Sequence, residues 1–441
     1  MDDGLYLRIF KNSAMLTASK VYTALVGLAY LALATRALGV HNFGVLILIH
    51  AYTAAIRDLV TLKTSQCVVR YGALCLERNS RADFQKLVKF TLLLDLGFCV
   101  LGTLVGMLAI PLVAPWFGVT PELAPLATIY CLMILFNFKN TSLGLLRLFD
   151  RFDLIALMQM LVPTLRLVGA LGAFLFYQHV AAFLLVWFGA GVLQCFATVW
   201  LGGREFSRRG FGNDMNFSLQ QLLRPHEGIL PFIWASHINR TLHTSSVHIA
   251  TLIVGALTGP ASAGLFKVAQ EFANALVKPA LLFTETVYPE MTKIAVLRNF
   301  RRLWDVIIHS ALAGAALAGA ILAIVFLFGQ PLLGLFFGAE YVSAYNVLML
   351  LLIAAAVALA TFALDPALHA IGRPEVSMRV RLFATLVQVA ALLALVPELG
   401  LPGAGLAAIA ASLVTALPLL FCCYRLIKAE PGSDLSVDDA D

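Results

Sequence analysis

The chain has 441 residues, of which 60% are hydrophobic and 13% are charged, and its mean hydropathy is +0.88. These values exclude a soluble protein with a large core and indicate an integral membrane protein. The net charge of +6 does not indicate nucleic-acid binding, because most basic residues lie between apolar segments, where they set membrane orientation.

Twelve apolar segments are long enough to cross about 30 Å of hydrocarbon. In chain order they cover residues 13–36, 43–62, 88–112, 123–146, 154–177, 180–201, 228–256, 262–288, 304–328, 341–364, 378–396 and 402–427. With the N-terminus placed in the cytoplasm, the cytoplasmic connections and the ends of the segments next to them contain 24 of the 31 basic residues, and the outer connections contain none. Lys139, Arg147 and Arg151 are assigned to the cytoplasmic connection after the fourth segment. This distribution follows the positive-inside rule and predicts that both termini are cytoplasmic.

The segments group into two lobes of six helices. We predict an N-terminal lobe at 1–201, a cytoplasmic connector at 202–227, a C-terminal lobe at 228–428 and a disordered acidic tail at 429–441. The connector is the natural boundary, because it is one of the two longest extramembrane segments, the other being 63–87.

The two lobes also show weak internal similarity at an offset of 220 residues. The offset aligns Gly39 with Gly259 and Gly44 with Gly264, each pair in the turn after the first helix of a lobe. Because both lobes begin on the same side, the repeat is parallel, about an axis along the membrane normal. The sequence therefore predicts an all-α integral membrane protein with twelve transmembrane helices in two six-helix lobes.

Seven basic residues lie outside the cytoplasmic connections: Lys20, Arg36, Arg57, Arg166, Arg240, Lys267 and Lys278. Arg36 is near an outer helix end, where its long side chain can reach water. The other six lie within the hydrocarbon span, where a charge at the helix centre costs roughly 2.5–3.5 kcal/mol. They are therefore expected to face the bundle interior or water. We take these six, together with His237 on the same helix face as Arg240, as candidate substrate-binding residues.

Acidic residues within the helices are fewer, and Asp58, Asp95 and Glu271 are candidates for binding a coupling H⁺ or Na⁺. Lys267 and Glu271 are four residues apart and are expected to form a structural ion pair. The resulting positive interior disfavours cations and favours anions. No other cofactor is expected, since there is no Walker phosphate loop and the spacing of the seven cysteines matches no metal site.

Several short segments, with the chain length and the two lobes, resemble Wzx-type polysaccharide flippases of the multidrug/oligosaccharidyl-lipid/polysaccharide exporter superfamily. The segments are RALGVHNFGVLILIHAY at 36–52, SAGLFKVAQEFANAL at 262–276, VYPEM at 287–291, LHAIGRPEVSMRVRL at 368–382 and LGLPGAGLAAIAASLV at 399–414. The resemblance implies a MATE-like V-shaped pair of lobes with inward- and outward-facing states. It also implies a transporter, not an enzyme, that moves undecaprenyl-pyrophosphate-linked oligosaccharide across the bacterial cytoplasmic membrane.

In such flippases, basic residues on helices one, two, seven and eight line a central cavity. Lys20, Arg57, Arg240 and Lys267 lie on those helices, although no strict motif aligns them. The implied partners are the lipid-linked oligosaccharide, membrane lipids, and a polymerase with other polysaccharide assembly proteins. Two alternatives stay open: a cation-coupled multidrug antiporter of the same superfamily, which would need an acid-rich interior, and a non-transporting scaffold of the assembly complex.

Overall fold

The computed structural model describes residues 3–117, 119–212, 229–297 and 299–429, with only the backbone described in parts of the helices. These residues form helices and contain no strand. The helices are α1 (Asp3–Val60), α2 (Thr64–Glu77), α3 (Arg81–Val113), α4 (Ala124–Tyr130), α5 (Leu132–Leu135), α6 (Asn140–Leu148), α7 (Phe152–Phe176), α8 (Val180–Arg208), α9 (Ile229–Thr258), α10 (Pro260–Val296), α11 (Phe300–Phe337), α12 (Tyr345–Ala360), α13 (Leu364–Ala370), α14 (Pro374–Leu399) and α15 (Leu401–Ala429).

The helices correspond to the predicted membrane spans. Among the described residues, nine stretches are long and apolar enough to cross a membrane. The first, Met15–Glu77, contains the predicted spans at 13–36 and 43–62, and the other eight correspond one to one with eight further predicted spans. The two remaining predictions, 228–256 and 262–288, are α9 and α10, whose side chains are described only in part.

The aligned glycines of the two halves have the same structural roles. Gly39 has φ of 68° between the two spans of α1, and Gly259 has φ of 89° between α9 and α10. Glycine adopts this left-handed conformation without the steric cost that a Cβ atom imposes. At the second aligned pair, a Cβ on Gly264 would lie 3.2 Å from the Gly44 nitrogen, and a Cβ on Gly44 would overlap the Pro260 carbonyl. The missing Cβ atoms therefore allow α1 and the start of α10 to make backbone contact.

The segment at 63–87, predicted as an extramembrane loop, contains the helix α2. Its 14 residues are too few to span the hydrocarbon core. Cys67 and Val68 on its buried face pack in a cluster with Phe84 and Leu145. Hydropathy did not predict the helix, because only one of its faces is apolar.

Packing divides the chain into two compact units, Met1–Leu265 and Phe266–Asp441. The first contains α1–α9 and the beginning of α10, and the second contains the rest of α10 and α11–α15. The predicted lobe boundary at 202–227 follows the sequence repeat and stays a prediction. Residues 213–227 of the connector and 430–441 of the tail lie outside the described residues.

Each unit contains a membrane span whose helix is interrupted. In the first unit, a turn at 136–139 separates α5 from α6. In the second, a turn at 361–363 separates α12 from α13. An interruption at membrane depth frees backbone groups, so it is found where the chain is packed in protein or lines a polar cavity. The turn at 136–139 is therefore a candidate position for a polar site.

Candidate functional site

A cavity of about 180 Å³ lies at the turn 136–139 in the first unit. It is lined by Arg57, Met133, Phe136, Asn137, Lys139, Val162, Arg166, Gly191 and Gln194. Three of these side chains are cationic, two are carboxamides, and none of the described lining residues is a carboxylate. The structure thus brings together the predicted site residues Arg57 and Arg166, and it adds Lys139. Such a lining attracts anions.

Arg166 is held in the cavity by aromatic rings. Its guanidinium carbon lies 4.8 Å from the ring centroid of Trp187 and 5.8 Å from that of Tyr30. Within the described part of the chain, its buried Nε has no hydrogen-bond acceptor. Cation–π attraction fixes the orientation of a guanidinium but does not satisfy its N–H groups. An anion in the cavity would pair with the charge of this guanidinium.

Trp187 belongs to a packed aromatic group behind Arg166. The side chain is only 1% exposed, so it supports Arg166 and is not itself a surface for cargo. Its ring meets Tyr30 edge-on at 6.0 Å between centroids and His50 at 4.7 Å. His50 Nδ1 is in turn 2.8 Å from the Tyr130 hydroxyl. These contacts join α1, α4 and α8 behind the cavity and restrain the Arg166 side chain.

Arg57 reaches the cavity from the last turn of α1 and has a carboxylate beside it. Its Nε and Nη2 donate to Asp58 Oδ1 at 3.3 and 3.2 Å. The other carboxylate oxygen, Oδ2, is 3.5 Å from Nε2 of His248 on α9. The side chains of Arg57 and Asp58 are 26% and 13% exposed, so water screens the pair only in part. Asp58 therefore connects a cavity cation to the neighbouring helix.

Lys139 is a cavity residue that the sequence analysis assigned to a cytoplasmic connection and did not name as a site residue. It ends the turn 136–139, and its Nζ donates to Oε1 of Gln194 on α8. Gln194 Nε2 donates to the Met158 carbonyl at 2.9 Å, which orients the carboxamide. Among the described residues, no carboxylate pairs with Lys139. The sequence does contain a feature that points to Lys139 as a site residue, because the predicted membrane span at 123–146 includes this lysine.

Thr61 joins the cavity to α9. Its hydroxyl accepts from Asn137 Nδ2 at 2.7 Å and donates to the Arg57 carbonyl at 2.5 Å. His237 is 6% exposed, and its Nδ1 lies 3.1 Å from the Thr61 carbonyl oxygen. In the described part of the chain, His237 is not among the cavity-lining residues. It holds α9 against the end of α1, and its assignment to substrate binding stays a prediction.

Asp95, a candidate for ion coupling, is buried in α3 and accepts hydrogen bonds from neutral groups. Its Oδ1 accepts from the Thr64 hydroxyl at 2.8 Å. Its Oδ2 accepts from the Thr141 hydroxyl at 2.7 Å and from the Thr141 backbone N–H at 2.9 Å. Thr141 is in the first turn of α6, so this carboxylate caps the half-helix that follows the interruption. Asp95 thereby ties α2, α3 and α6 together, and its role in ion coupling stays a prediction.

Of the remaining predicted site residues, those with described side chains do not line this cavity. Lys267 Nζ lies 2.8 Å from Glu271 Oε1 on α10, which confirms the predicted ion pair. Lys20 is exposed on α1. Arg240 and Lys278 belong to α9 and α10, but their side chains lie outside the described residues. The assignments of these residues to substrate binding or ion coupling stay predictions.

The fold is the two-lobe fold of transporters of the MOP superfamily. It is similar to the inward-facing conformation of a multidrug resistance MATE family transporter of that superfamily, with a TM-score of 0.71 and 19% identity over 94% of both chains. It is also similar to the lipid II flippase MurJ in an inward closed conformation, with a TM-score of 0.73 and 15% identity over 93% of this chain and 87% of that one. At these identities the similarity shows the fold alone, and it confirms the predicted fold class.

The chain belongs to the polysaccharide biosynthesis protein family, whose model matches residues 9–295. It is also 32% identical over 346 residues to the inner membrane protein YghQ of Escherichia coli (strain K12), which covers 78% of this chain and 97% of that protein. The resemblance stated from the short sequence segments is thereby confirmed.

Proposed function

We propose that this protein is a flippase that moves undecaprenyl-pyrophosphate-linked oligosaccharide repeat units across the bacterial inner membrane by alternating access. The translocated repeat units would supply the synthesis of surface polysaccharide such as O-antigen, capsule or exopolysaccharide. Both termini of the protein would be cytoplasmic. The observation that carries the proposal is the cavity lined by Arg57, Lys139 and Arg166. Membership of a polysaccharide biosynthesis family, an inner-membrane relative and the shared fold of a lipid II flippase support it.

The chemistry of the cavity suits a pyrophosphate. Arg57 and Arg166 can each donate two parallel N–H bonds to phosphate oxygens, and Lys139 adds a compact positive charge. Asn137 and Gln194 supply neutral amide groups for further polar contacts. An anion is costly to bring to membrane depth unless such groups replace its water. The prenyl chain needs no such replacement and can stay in lipid.

The volume of the cavity supports its assignment to one part of the cargo. About 180 Å³ is smaller than the roughly 300–1,000 Å³ of pockets that enclose drug-sized ligands. We therefore assign the pyrophosphate to this cavity and place the oligosaccharide outside it. The pyrophosphate is common to all such lipid-linked cargoes and would bind here. The particular glycan would then be recognised elsewhere on the protein.

Among the candidate coupling acids, Asp58 lies next to the cavity cation Arg57. Asp95 caps α6, and Glu271 pairs with Lys267. Asp58 is therefore our candidate for linking an H⁺ or Na⁺ to transport. The alternative of a cation-coupled multidrug antiporter is disfavoured, because the cationic lining would repel a cationic drug.

The proposal is tested by substituting Arg166→Gln and measuring translocation of undecaprenyl-pyrophosphate-linked oligosaccharide in proteoliposomes. Loss of a charged hydrogen bond of about 2 kcal/mol should slow translocation about 30-fold. In cells that depend on this protein, lipid-linked repeat units should accumulate on the cytoplasmic side.

Arg373→Gln is the matched control. The Arg373 side chain is 59% exposed and lies 3.8 Å from Glu375, in the second unit. The same loss of one guanidinium there should leave translocation within about twofold of the wild type, since exposed pairs contribute little. Normal surface polysaccharide from cells with Arg166→Gln would contradict the proposed function.

A further inference from the structure

We infer that Asp58 is the resident counter-ion of the cavity and that the pyrophosphate of the cargo displaces it from Arg57. The inference rests on the proposed function, because it takes the cargo anion as its starting point. It assigns Asp58 a role in positioning Arg57 and in releasing the cargo.

Asp58 occupies donors of Arg57 that a phosphate could use. It contacts the Nε and Nη2 atoms of Arg57, at 3.3 and 3.2 Å. This edge of a guanidinium is one that forms two parallel bonds to a carboxylate or to a phosphate. The carboxylate and the cargo therefore compete for the same N–H groups.

The lining of the cavity carries an excess of positive charge. Arg57 shares the cavity with Lys139 and Arg166, and none of the described lining residues is a carboxylate. Like charges in a partly buried site raise one another's energy, and a nearby anion lowers it. Asp58 is the carboxylate in contact with one of these three cations. It can therefore stabilise the site when no cargo is bound.

Asp58 also has a partner on another helix. Its Oδ2 lies 3.5 Å from Nε2 of His248 on α9, and the His248 side chain is 17% exposed. When the pyrophosphate of the cargo binds Arg57, a small rotation of the Asp58 carboxylate would shorten its contact with His248. Binding of the cargo would thus exchange a contact within α1 for a contact between α1 and α9.

The competition has a consequence for transport. A carrier needs a site that binds its cargo and also releases it. When Asp58 returns to Arg57, it expels the pyrophosphate. Removing the Asp58 carboxylate should therefore tighten pyrophosphate binding and slow transport. Loss of a residue with only a structural role would instead weaken binding and slow transport.

The test uses the full-length protein in lipid nanodiscs, with inorganic pyrophosphate as the ligand in a calorimetric titration. Asp58→Asn should lower the dissociation constant about tenfold. The same variant should translocate lipid-linked oligosaccharide more slowly than the wild type. Asp58→Glu, which retains the carboxylate, should restore both values toward those of the wild type. Thermal unfolding of each variant checks that it is folded.

A double-mutant cycle shows whether Asp58 acts through Arg57. In an Arg57→Gln background, Asp58→Asn should change pyrophosphate affinity by less than about twofold, because the pair no longer exists. An equal tightening in that background would overturn the displacement from Arg57.

Two further outcomes separate this inference from the proposed function. If Asp58→Asn binds pyrophosphate no more tightly while Arg166→Gln still weakens binding, the inference is wrong and the proposed function stands. If the wild-type protein binds no pyrophosphate, both are wrong.

Discussion

The interrupted spans of the two units differ in how their charges are compensated. At the first, the turn 136–139 presents Lys139 to a cavity shared with Arg57 and Arg166. Three cations meet there, and the Asp58 carboxylate contacts one of them, Arg57. The site retains a positive excess that an external anion can neutralise.

At the second interruption the charge is compensated internally. Asp365 is in the first turn of α13, after the turn 361–363. Its Oδ2 accepts from Arg381 Nη2 at 2.8 Å, and its Oδ1 accepts from the Ser377 hydroxyl. One carboxylate and one guanidinium thus satisfy each other. Both units contain an interrupted helix, and the cavity lined by Arg57, Lys139 and Arg166 belongs to the first.

The largest effect is expected at the cap of α6. Asp95→Ala would leave the hydroxyls of Thr64 and Thr141 and one backbone N–H without their buried acceptor. We expect a loss of about 3 kcal/mol in the free energy of unfolding, since each unsatisfied buried donor costs about 1–3 kcal/mol. Denaturant unfolding of the purified protein in detergent measures it. Asp95→Asn keeps one acceptor oxygen and should lose less, and equal losses in the two variants would show that the cap is not the cause.

An intermediate effect is expected at the second interruption. Arg381→Gln removes the partner of Asp365, whose side chain is 27% exposed, and should cost about 1 kcal/mol of stability. Because this pair has no part in the proposed cargo site, translocation should stay within about twofold of the wild type. A loss of translocation as large as that of Arg166→Gln, in folded protein, would remove the distinction between the two interruptions.

The smallest effect is expected behind Arg166. Trp187→Phe weakens a cation–π contact of 4.8 Å and should reduce pyrophosphate affinity about twofold, equivalent to about 0.5 kcal/mol. Trp200 provides the matched control, because it is 62% exposed and lies 5.2 Å from the Arg204 guanidinium, outside the cavity. Trp200→Phe should leave the affinity unchanged. If both substitutions lower it equally, Trp187 has no specific role in holding Arg166.

Sequence reasoning predicted part of the site for a definite physical reason. Arg57 and Arg166 were identified because a charge within an apolar span needs an interior environment. Lys139 was missed because its neighbours Arg147 and Arg151 suggested a cytoplasmic connection. The role of Asp95 was not predictable, since its partners Thr64 and Thr141 are 31 and 46 residues away along the chain. Depth in the membrane is readable from sequence, but such pairings are not.

The sequence by itself determined that this is a helical membrane protein with two related halves and with basic residues inside its apolar segments. Hydropathy, glycine positions and the distribution of basic residues are properties of the chain before it folds. Only the tertiary structure decided which charges share a cavity. The interruption at 136–139 places Lys139 where α1, α7 and α8 meet, and that meeting brings it together with Arg57 and Arg166. The physical reason is that the field within a site depends on the distances between charges, and helix packing sets those distances.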